Sequence, residues 1–394
     1  MTLGRRATVV GGSLGGLTAA VLLRDLGWEV QVHERSASEL QGRGAGIVVH
    51  PVAVRYLVEK AMALLDEVSV AADQLVYVDA AGATVFREAG PYRFTAWNTL
   101  YSALRGQLES HRYHLGQSMV GFTQDADGVD VAFANGAVER CELLVCADGT
   151  ASTARGRLLP EVQAVYSGYV GWRGTVSDSE VTASTRDAFR QAIIYHVMRD
   201  SHILEYPIPA PDGGVRPGSR SLNFVWYRNI HEGAELDHVM TDREGVRRAR
   251  SVPPGEVRED VLDELRRASA GLPPVLREVV EKSLDPFIQP VMDVEVPRMA
   301  FGRVCLIGDA AFTARPHAAA GTAKAAADAW ALAEAIAVAR GDIAGALLEW
   351  EPGQLKMGSE LVARNRVMGE RSQFLGTWQP EDTTLRFGLR GPGD

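Results

Sequence analysis

Ala7-Thr8-Val9-Val10 runs directly into Gly11-Gly12-Ser13-Leu14-Gly15-Gly16, a helical stretch follows from Leu17 to Leu26, and Glu29 to His33 alternates as a strand that ends in Glu34. Strand, glycine turn, helix, strand and acid in that order are the parts of a dinucleotide-binding unit. Glycine is needed where the turn is tight, where backbone amides approach a pyrophosphate and where helix packs on strand, and a carboxylate about 20 residues on holds a ribose hydroxyl. Glu34 lies 18 residues after Gly16. One position departs from the pattern, because the middle glycine is Ser13, a small hydroxyl residue with Gly12 and Gly15 beside it. A bare strand-to-helix turn with no ligand would leave Glu34 unexplained.

Working outward, 394 residues suffice for a large core and suggest two or more domains. A net charge of −9 argues against a nucleic-acid footprint or an anionic-membrane patch. No stretch approaches the roughly 20 apolar residues that cross a bilayer, and the first strand follows the N-terminus with no hydrophobic signal region, so a cytoplasmic protein is expected. Cys141, Cys146 and Cys305 sit in apolar strand-like contexts, which favours buried thiols over disulfides or a metal site.

Beyond Glu34 the pattern predicts a glycine-spaced loop at 40–51, a helix from Val52 to Val68, a hairpin of 75–79 with 83–87, and a helix from Thr99 to Glu109. Short strands follow, with Asn135-Gly136 as a hairpin turn. Leu143 to Ala147 is a wholly apolar run, as a buried parallel strand should be, Arg303 to Ile307 restores that buried-strand texture, and the two end in Asp148-Gly149 and Gly308-Asp309. Between 166 and 290 the texture changes to aromatic-rich strands with Pro/Gly turns, the mark of a mostly antiparallel sheet. Within Leu222 to Tyr227, period two puts Asn223, Val225 and Tyr227 on one face and Leu222, Phe224 and Trp226 on the other. The polar face is either a substrate wall or a wet sheet surface. A loop from Ala310 to Thr322 enters an alanine-rich helix, Lys324 to Ala339, whose amides suit an anion or an electron-rich ring edge. A helix from Ile343 to about Phe374 and a polar tail close the chain. The expectation is an α/β fold: a Rossmann-like dinucleotide-binding domain (1–74, 99–165, 288–394, with C-terminal helices) interleaved with a mostly antiparallel β-sheet substrate domain (75–98, 166–287).

Three separated motifs stand in order: the N-terminal glycine loop with Glu34, Ala147-Asp148-Gly149 with Ser152 and Arg155, and Gly308-Asp309-Ala310-Ala311 with Pro316 and Gly321. In that order and spacing the chain resembles the single-component FAD-dependent aromatic hydroxylases of the para-hydroxybenzoate hydroxylase type. Gly46-Ile47-Val48-Val49, Gly168 to Gly174, Tyr206 to Pro209 and Arg315 to Gly321 resemble a branch that acts on hydroxypyridines. The resemblance implies FAD as resident cofactor, NADH or NADPH as transient co-substrate, oxygen, and a small electron-rich aromatic or hydroxypyridine ring. It assigns Gly11, Gly12, Ser13, Leu14, Gly15 and Gly16 to the ADP pyrophosphate, Glu34 to the ribose, with Arg35 and Arg43 nearby. Asp309 would hold the ribityl and pyrophosphate region, Asp148-Gly149 would touch both FAD and the transient nicotinamide nucleotide, and Pro316, Ala320, Gly321 and Thr322 would bring backbone to the isoalloxazine. A homodimer is a family-level expectation. Where the family usually has His, Asn and Arg, this chain has Phe312, Ala323 and Trp97, so Arg43 or Arg105 would take over part of the missing charge.

Hydroxylation needs an activated ring, a task for His, Tyr or a relay near neutrality. The candidates are His50, Tyr227 and His317, with Asn223 and Tyr206 as substrate walls and His196, His202 and Arg173 in the background. His50 either touches substrate or is a buried histidine bonded to backbone, and His317 either meets substrate or fixes its loop. Rival readings are a tailoring oxygenase acting on a phenolic biosynthetic intermediate and a flavin-binding redox sensor without turnover. A flavin halogenase lacks its Trp-x-Trp-x-Ile-Pro segment here, and the longer apolar pocket of a prenyl-lipid reductase is not visible.

Overall fold

The structure, a computed structural model, describes residues 5–40 and 45–394. Arg6–Val10 is the centre of a six-stranded sheet, flanked in parallel by Glu29–His33 and by Leu143–Cys146. Val304–Leu306 continues in parallel beyond 143–146, Tyr113–His114 beyond 29–33, and Ala300–Phe301 closes one edge antiparallel. Because the central strands run the same way, Gly11, Glu34, Asp148 and Gly308-Asp309 all emerge at one edge. In open α/β sheets that carboxyl edge is where ligands bind. Helix Leu14–Asp25 packs on this sheet and on helix Gly321–Val338. Val30, Val32, Leu143 to Cys146 and Val304 to Ile307 share one core with Leu17, Val21 and Leu332.

The second sheet has nine strands, in the order Phe312–Thr313, Phe287–Glu295, Val165–Ser177, Ser221–Asn229, Ser201–Ile208, Ala192–Met198, Val70–Val78, Thr84–Ala96 and Gly46–Val48. All its pairs are antiparallel except 192–198 with 70–78. Its faces divide as period two requires. Val225 and Tyr227 join Tyr195, Leu204 and Tyr206 in a core facing helices 321–338 and Ile343–Gln373, whereas Leu222, Phe224 and Trp226 face helices Glu259–Ser269 and Pro274–Lys282. The sheet also takes in 46–48 and all of 70–78, so segments on both sides of the expected boundary at 74 share it.

Three elements differ from their sequence expectation. The helix begun at Pro51 ends at Glu59, and a separate turn, Leu65–Val68, follows. Met62 stands at φ 56° and breaks the helix although the apolar period runs on. The strand begun at Thr84 continues through Gly90-Pro91 to Ala96, because a register shift between Ala72 and Gln74 bulges the pair where those two breakers fall. The polar tail is partly buried, with Trp378, Leu385 and Leu389 in the core of the second sheet. The three cysteines are free and buried, as expected. Among the described residues no helix is long and apolar enough to cross a membrane.

Candidate active site

Two cavities meet at the carboxyl edge of the six-stranded sheet. One, of ≈ 880 Å³, is lined by Gly11, Ser13, Glu34, Arg35, Asp148 and Arg250 among others. The second, of ≈ 470 Å³, takes Ser13, Leu14, Gly15, Asp309, Pro316, Gly321 and Thr322 from the motif loops, and Tyr206, Tyr227 and His317 as its aromatic end. Ser13, Ala147, Gly149, Phe287 and Gln289 line both, so the two form one elongated groove across the glycine turn. A groove of that form suits an extended dinucleotide with a ring at one end.

At the first cavity the Glu34 carboxylate accepts from the amides of Gly12 (2.9 Å) and Ser36 (2.9 Å). An ionised carboxylate has about four acceptor sites, so two remain for ribose hydroxyls. Ser13 caps helix 14–25 through its backbone, but its side chain makes no cap bond and its hydroxyl stays uncommitted at the junction of the cavities. Asp148 anchors Ala154 through Oδ2 (3.2 Å), while its buried Oδ1 has no protein partner. A lone acceptor at this edge fits a ligand hydroxyl or amide. Arg35 is exposed beside the cavity. Gly12 has a different reason to be glycine: a Cβ there would stand 2.2 Å from the Tyr113 hydroxyl, which donates to Gly12 O at 3.0 Å. With its amide on Glu34 as well, Gly12 shapes the loop rather than lining either cavity.

The aromatic end is built by register. Gly171 faces Tyr227, Tyr227 faces His202, Val225 faces Leu204 and Asn223 faces Tyr206 across three strands. Tyr195, His202, Tyr206, Tyr227, Trp378 and Phe387 line the cavity with His317 opposite. His202 stacks on Trp378 (centroids 5.5 Å apart, 20° between planes) and tilts against Tyr227 at 4.8 Å and His317 at 5.3 Å. Tyr206 stacks on Phe94 at 4.4 Å. Burial pushes the Tyr227 phenol up to about 12 against the pull of Arg173, and raises Tyr195 and Tyr206 as well. It drives His202 down to about 3 and His317 well below the usual histidine value, the latter aided by His202 and Arg315. At neutral pH both imidazoles and all three phenols are uncharged. Arg173 lines the same cavity, and no carboxylate pairs with it among the described residues.

Several expected residues stand elsewhere. His50 lines neither cavity: its ring nitrogens lie against the carbonyls of Ala319 (3.1 Å) and Asp394 (3.2 Å), and burial lowers its pKa. It ties the loop at Ala319 to Asp394, the backbone-bonded alternative. Asn223 is likewise one layer back, where its Oδ1 accepts from Gly46 at 2.8 Å. Ala320 and Gly16 sit behind the groove surface, and Arg105 is taken up by Glu39 at 3.3 Å and by Leu108 O at 3.0 Å. Arg43 lies outside the described residues. Phe312, where the family has His, lies under the Lys324 ammonium, 4.8 Å from it. Sequence reading missed Trp378 and Phe387, which reach the cavity from a tail with no periodic pattern. It also left His202 and Arg173 in the background, although strand alternation puts both on the Tyr227 side.

Residues 166–293 match a family model described as FAD binding domain-like. The chain is 40% identical over 385 residues to 2,6-dihydroxypyridine 3-monooxygenase of Paenarthrobacter nicotinovorans, covering 98% of this chain and 96% of that protein. It is 28% identical to salicylate hydroxylase of Pseudomonas putida, over 98% of this chain and 92% of that one. The solved structure of 2,6-dihydroxypyridine-3-hydroxylase from Arthrobacter nicotinovorans superposes with a TM-score of 0.93 at 39% identity, covering 100% of this chain and 98% of that one. Klebsiella pneumoniae HpxO complexed with FAD and uric acid gives a TM-score of 0.78 at 23% identity over 94% of this chain and 89% of that one, a likeness of fold.

Proposed function

This chain belongs to the FAD-dependent aromatic hydroxylases, and from that premise we propose that it hydroxylates a small electron-rich hydroxypyridine, with 2,6-dihydroxypyridine the first substrate to test. The observation that carries the reading is one cavity in which a flat aromatic box, Tyr206, Tyr227, His202, His317 and Trp378, opens onto Gly15, Asp309 and Thr322 of the cofactor motifs. The family relatives at 40% and 28% identity support the same reaction class.

The residues fit FAD. Glu34 keeps acceptor sites for the ribose, Asp148 Oδ1 is a buried acceptor without a partner, and Gly11, Ser13, Leu14 and Gly15 offer a glycine turn at a helix N-terminus for the pyrophosphate. Asp309, Pro316, Gly321 and Thr322 would meet the ring end. FAD, when bound, takes electrons from NADH or NADPH and activates oxygen for insertion into the substrate ring. The protein binds, orients and keeps the site dry. In this reading Tyr206 and Tyr227 offer neutral hydroxyls to the ring, Trp378 and His202, stacked on each other, form one wall, and His317 touches the ring from the loop side. Asn223 and His50 hold the walls in place from behind. Residues 1–74, 99–165 and 288–394 carry the cofactor part and 75–98 with 166–287 the substrate part, with strands 46–48 and 70–78 lent to the substrate sheet.

The test is turnover. Purified protein with FAD, NADH or NADPH and a panel of hydroxypyridines and phenols is followed by oxygen uptake and product mass. Ring hydroxylation of 2,6-dihydroxypyridine coupled to NAD(P)H oxidation is expected, and NAD(P)H oxidation without a hydroxylated ring across the panel overturns the reading.

A further inference from the structure

At its aromatic end the cavity offers phenols, imidazoles and the Arg173 guanidinium, whereas its carboxylate, Asp309, lies at the cofactor end. Tyr169 lies behind His317, fully buried on strand 165–177, with its hydroxyl 2.6 Å from His317 Nε2. A Cβ placed on Gly369 of helix 343–373 would stand 2.7 Å from that hydroxyl, 3.0 Å from Arg315 Nη1 and 3.0 Å from His317 Nε2, so the three polar atoms converge where the helix carries no side chain. Arg315 is fixed by Asp293 at 3.1 Å and Glu370 at 3.4 Å, with its guanidinium carbon 5.9 Å from the centre of the Tyr169 ring.

Proton counting then decides the tautomer. His317 Nε2 is the one acceptor within hydrogen-bond distance of the buried Tyr169 hydroxyl among the described residues, so the phenol proton goes to it; an Nε2–H would leave that O–H buried without an acceptor. A neutral imidazole with Nε2 as acceptor carries its hydrogen on Nδ1. That Nδ1 is buried without a protein partner on a ring that lines the cavity. The other facing groups are the phenols of Tyr195, Tyr206 and Tyr227, neutral His202, Asp309 at the cofactor end, and Arg173. Arg173 stands opposite Val225 in register, two residues from the Gly171–Tyr227 pair, and lines the same cavity.

We propose that Tyr169, buried behind His317, sets His317 as an Nδ1–H donor, and that this N–H and the Arg173 guanidinium together select a ring carrying an oxyanion. The inference rests on the hydroxypyridine reading and deepens it: the ring leaves its proton in water before binding, and no side chain of the cavity acts as its base. Tyr169 is a positioning residue, whereas His317 and Arg173 touch the ligand.

Two measurements test this on FAD holoenzyme. In ¹⁵N-histidine-labelled protein, with His317→Gln identifying the resonance, His317 is expected as the Nδ1–H tautomer, and Tyr169→Phe converts it to a mixture. In the second, 2,6-dihydroxypyridine and 2,6-dimethoxypyridine, which has no hydroxyl to ionise, are titrated into oxidised enzyme from about pH 5 to about pH 9 and followed by the flavin absorbance. Binding of the dihydroxy ring tightens with its own ionisation and levels off, while the dimethoxy ring binds weakly at every pH. Arg173→Gln weakens the dihydroxy ring about tenfold or more, Arg173→Lys recovers part of the loss, and FAD content is unchanged in both. An Nε2–H tautomer in the wild type, or equal and pH-independent affinity for the two rings, overturns the proposal. If another ring is hydroxylated instead, the substrate reading alone has failed, and the same titration is run with that ring and its methyl ether.

Discussion

Glu205 is fully buried on strand 201–208, on the face away from the aromatic cavity, and neither of its carboxyl oxygens meets a partner. Burial raises its pKa well above the usual carboxylate value, so the folded chain keeps a proton that the unfolded chain gives up. A raised folded value means stability is complete below the unfolded pKa, near 4.5, and is lost as pH rises above it. Glu205→Gln removes that dependence. Urea unfolding at about pH 5 and about pH 8 should find the variant gaining on the wild type by roughly 1–3 kcal/mol between the two, and parallel behaviour would mean that the carboxyl is paired. Such a group illustrates what sequence cannot say. Period two places residue 205 on the far face of the strand, but only the assembled sheet shows that nothing polar awaits it there. The same alternation put Tyr227 and Asn223 on one face, yet their different depths, one at the cavity and one behind it, follow from the approach of Gly46.

Between elements, the third motif is held by a tie with no signature of its own. Lys324 and Asp328, one turn apart on helix 321–338, form a buried pair at 2.7 Å. The Asp328 carboxylate also accepts from the Gly308 amide (2.8 Å) while Lys324 donates to Gly308 O (3.1 Å). Both ends of the Gly308 peptide unit are thus pinned by one helix turn, which aims Asp309 at the groove. An i,i+4 Lys–Asp pair in a sequence usually reads as a solvated face, so its role was illegible until the burial was seen. Removing one partner strands a buried charge at about 3–5 kcal/mol, whereas replacing both by apolar residues costs less. Lys324→Met should therefore destabilise the protein by that amount in chemical denaturation and weaken FAD retention, and Lys324→Met with Asp328→Leu should recover much of the stability but not the retention. Equal stability of the single and double variants would mean that the pair is solvated.

Across the whole molecule, the groove is the seam between the two sheets. Ser13, Ala147 and Gly149 come from the edge of the six-stranded sheet, Phe287 and Gln289 from the nine-stranded one, and all five line both cavities. The three motifs were legible because each parallel strand must end in a turn of small or acidic residues at the same edge, and an ordered set of such turns admits few folds. The substrate end was legible only in part, because its walls come from register across strands far apart in the chain and from the tail that brings Trp378. A cofactor lying along this seam must join the sheets as well as fill them. At about 100 times its dissociation constant FAD should add about 2.7 kcal/mol to unfolding. Hydrogen exchange of apo and FAD-loaded protein should then show new protection at residues 11–16 and 147–149 and equally at 287–289, since Phe287 and Gln289 face the groove from the other sheet. Protection confined to the first two segments would place the cofactor on the six-stranded sheet alone and leave the aromatic cavity without its link to the redox centre.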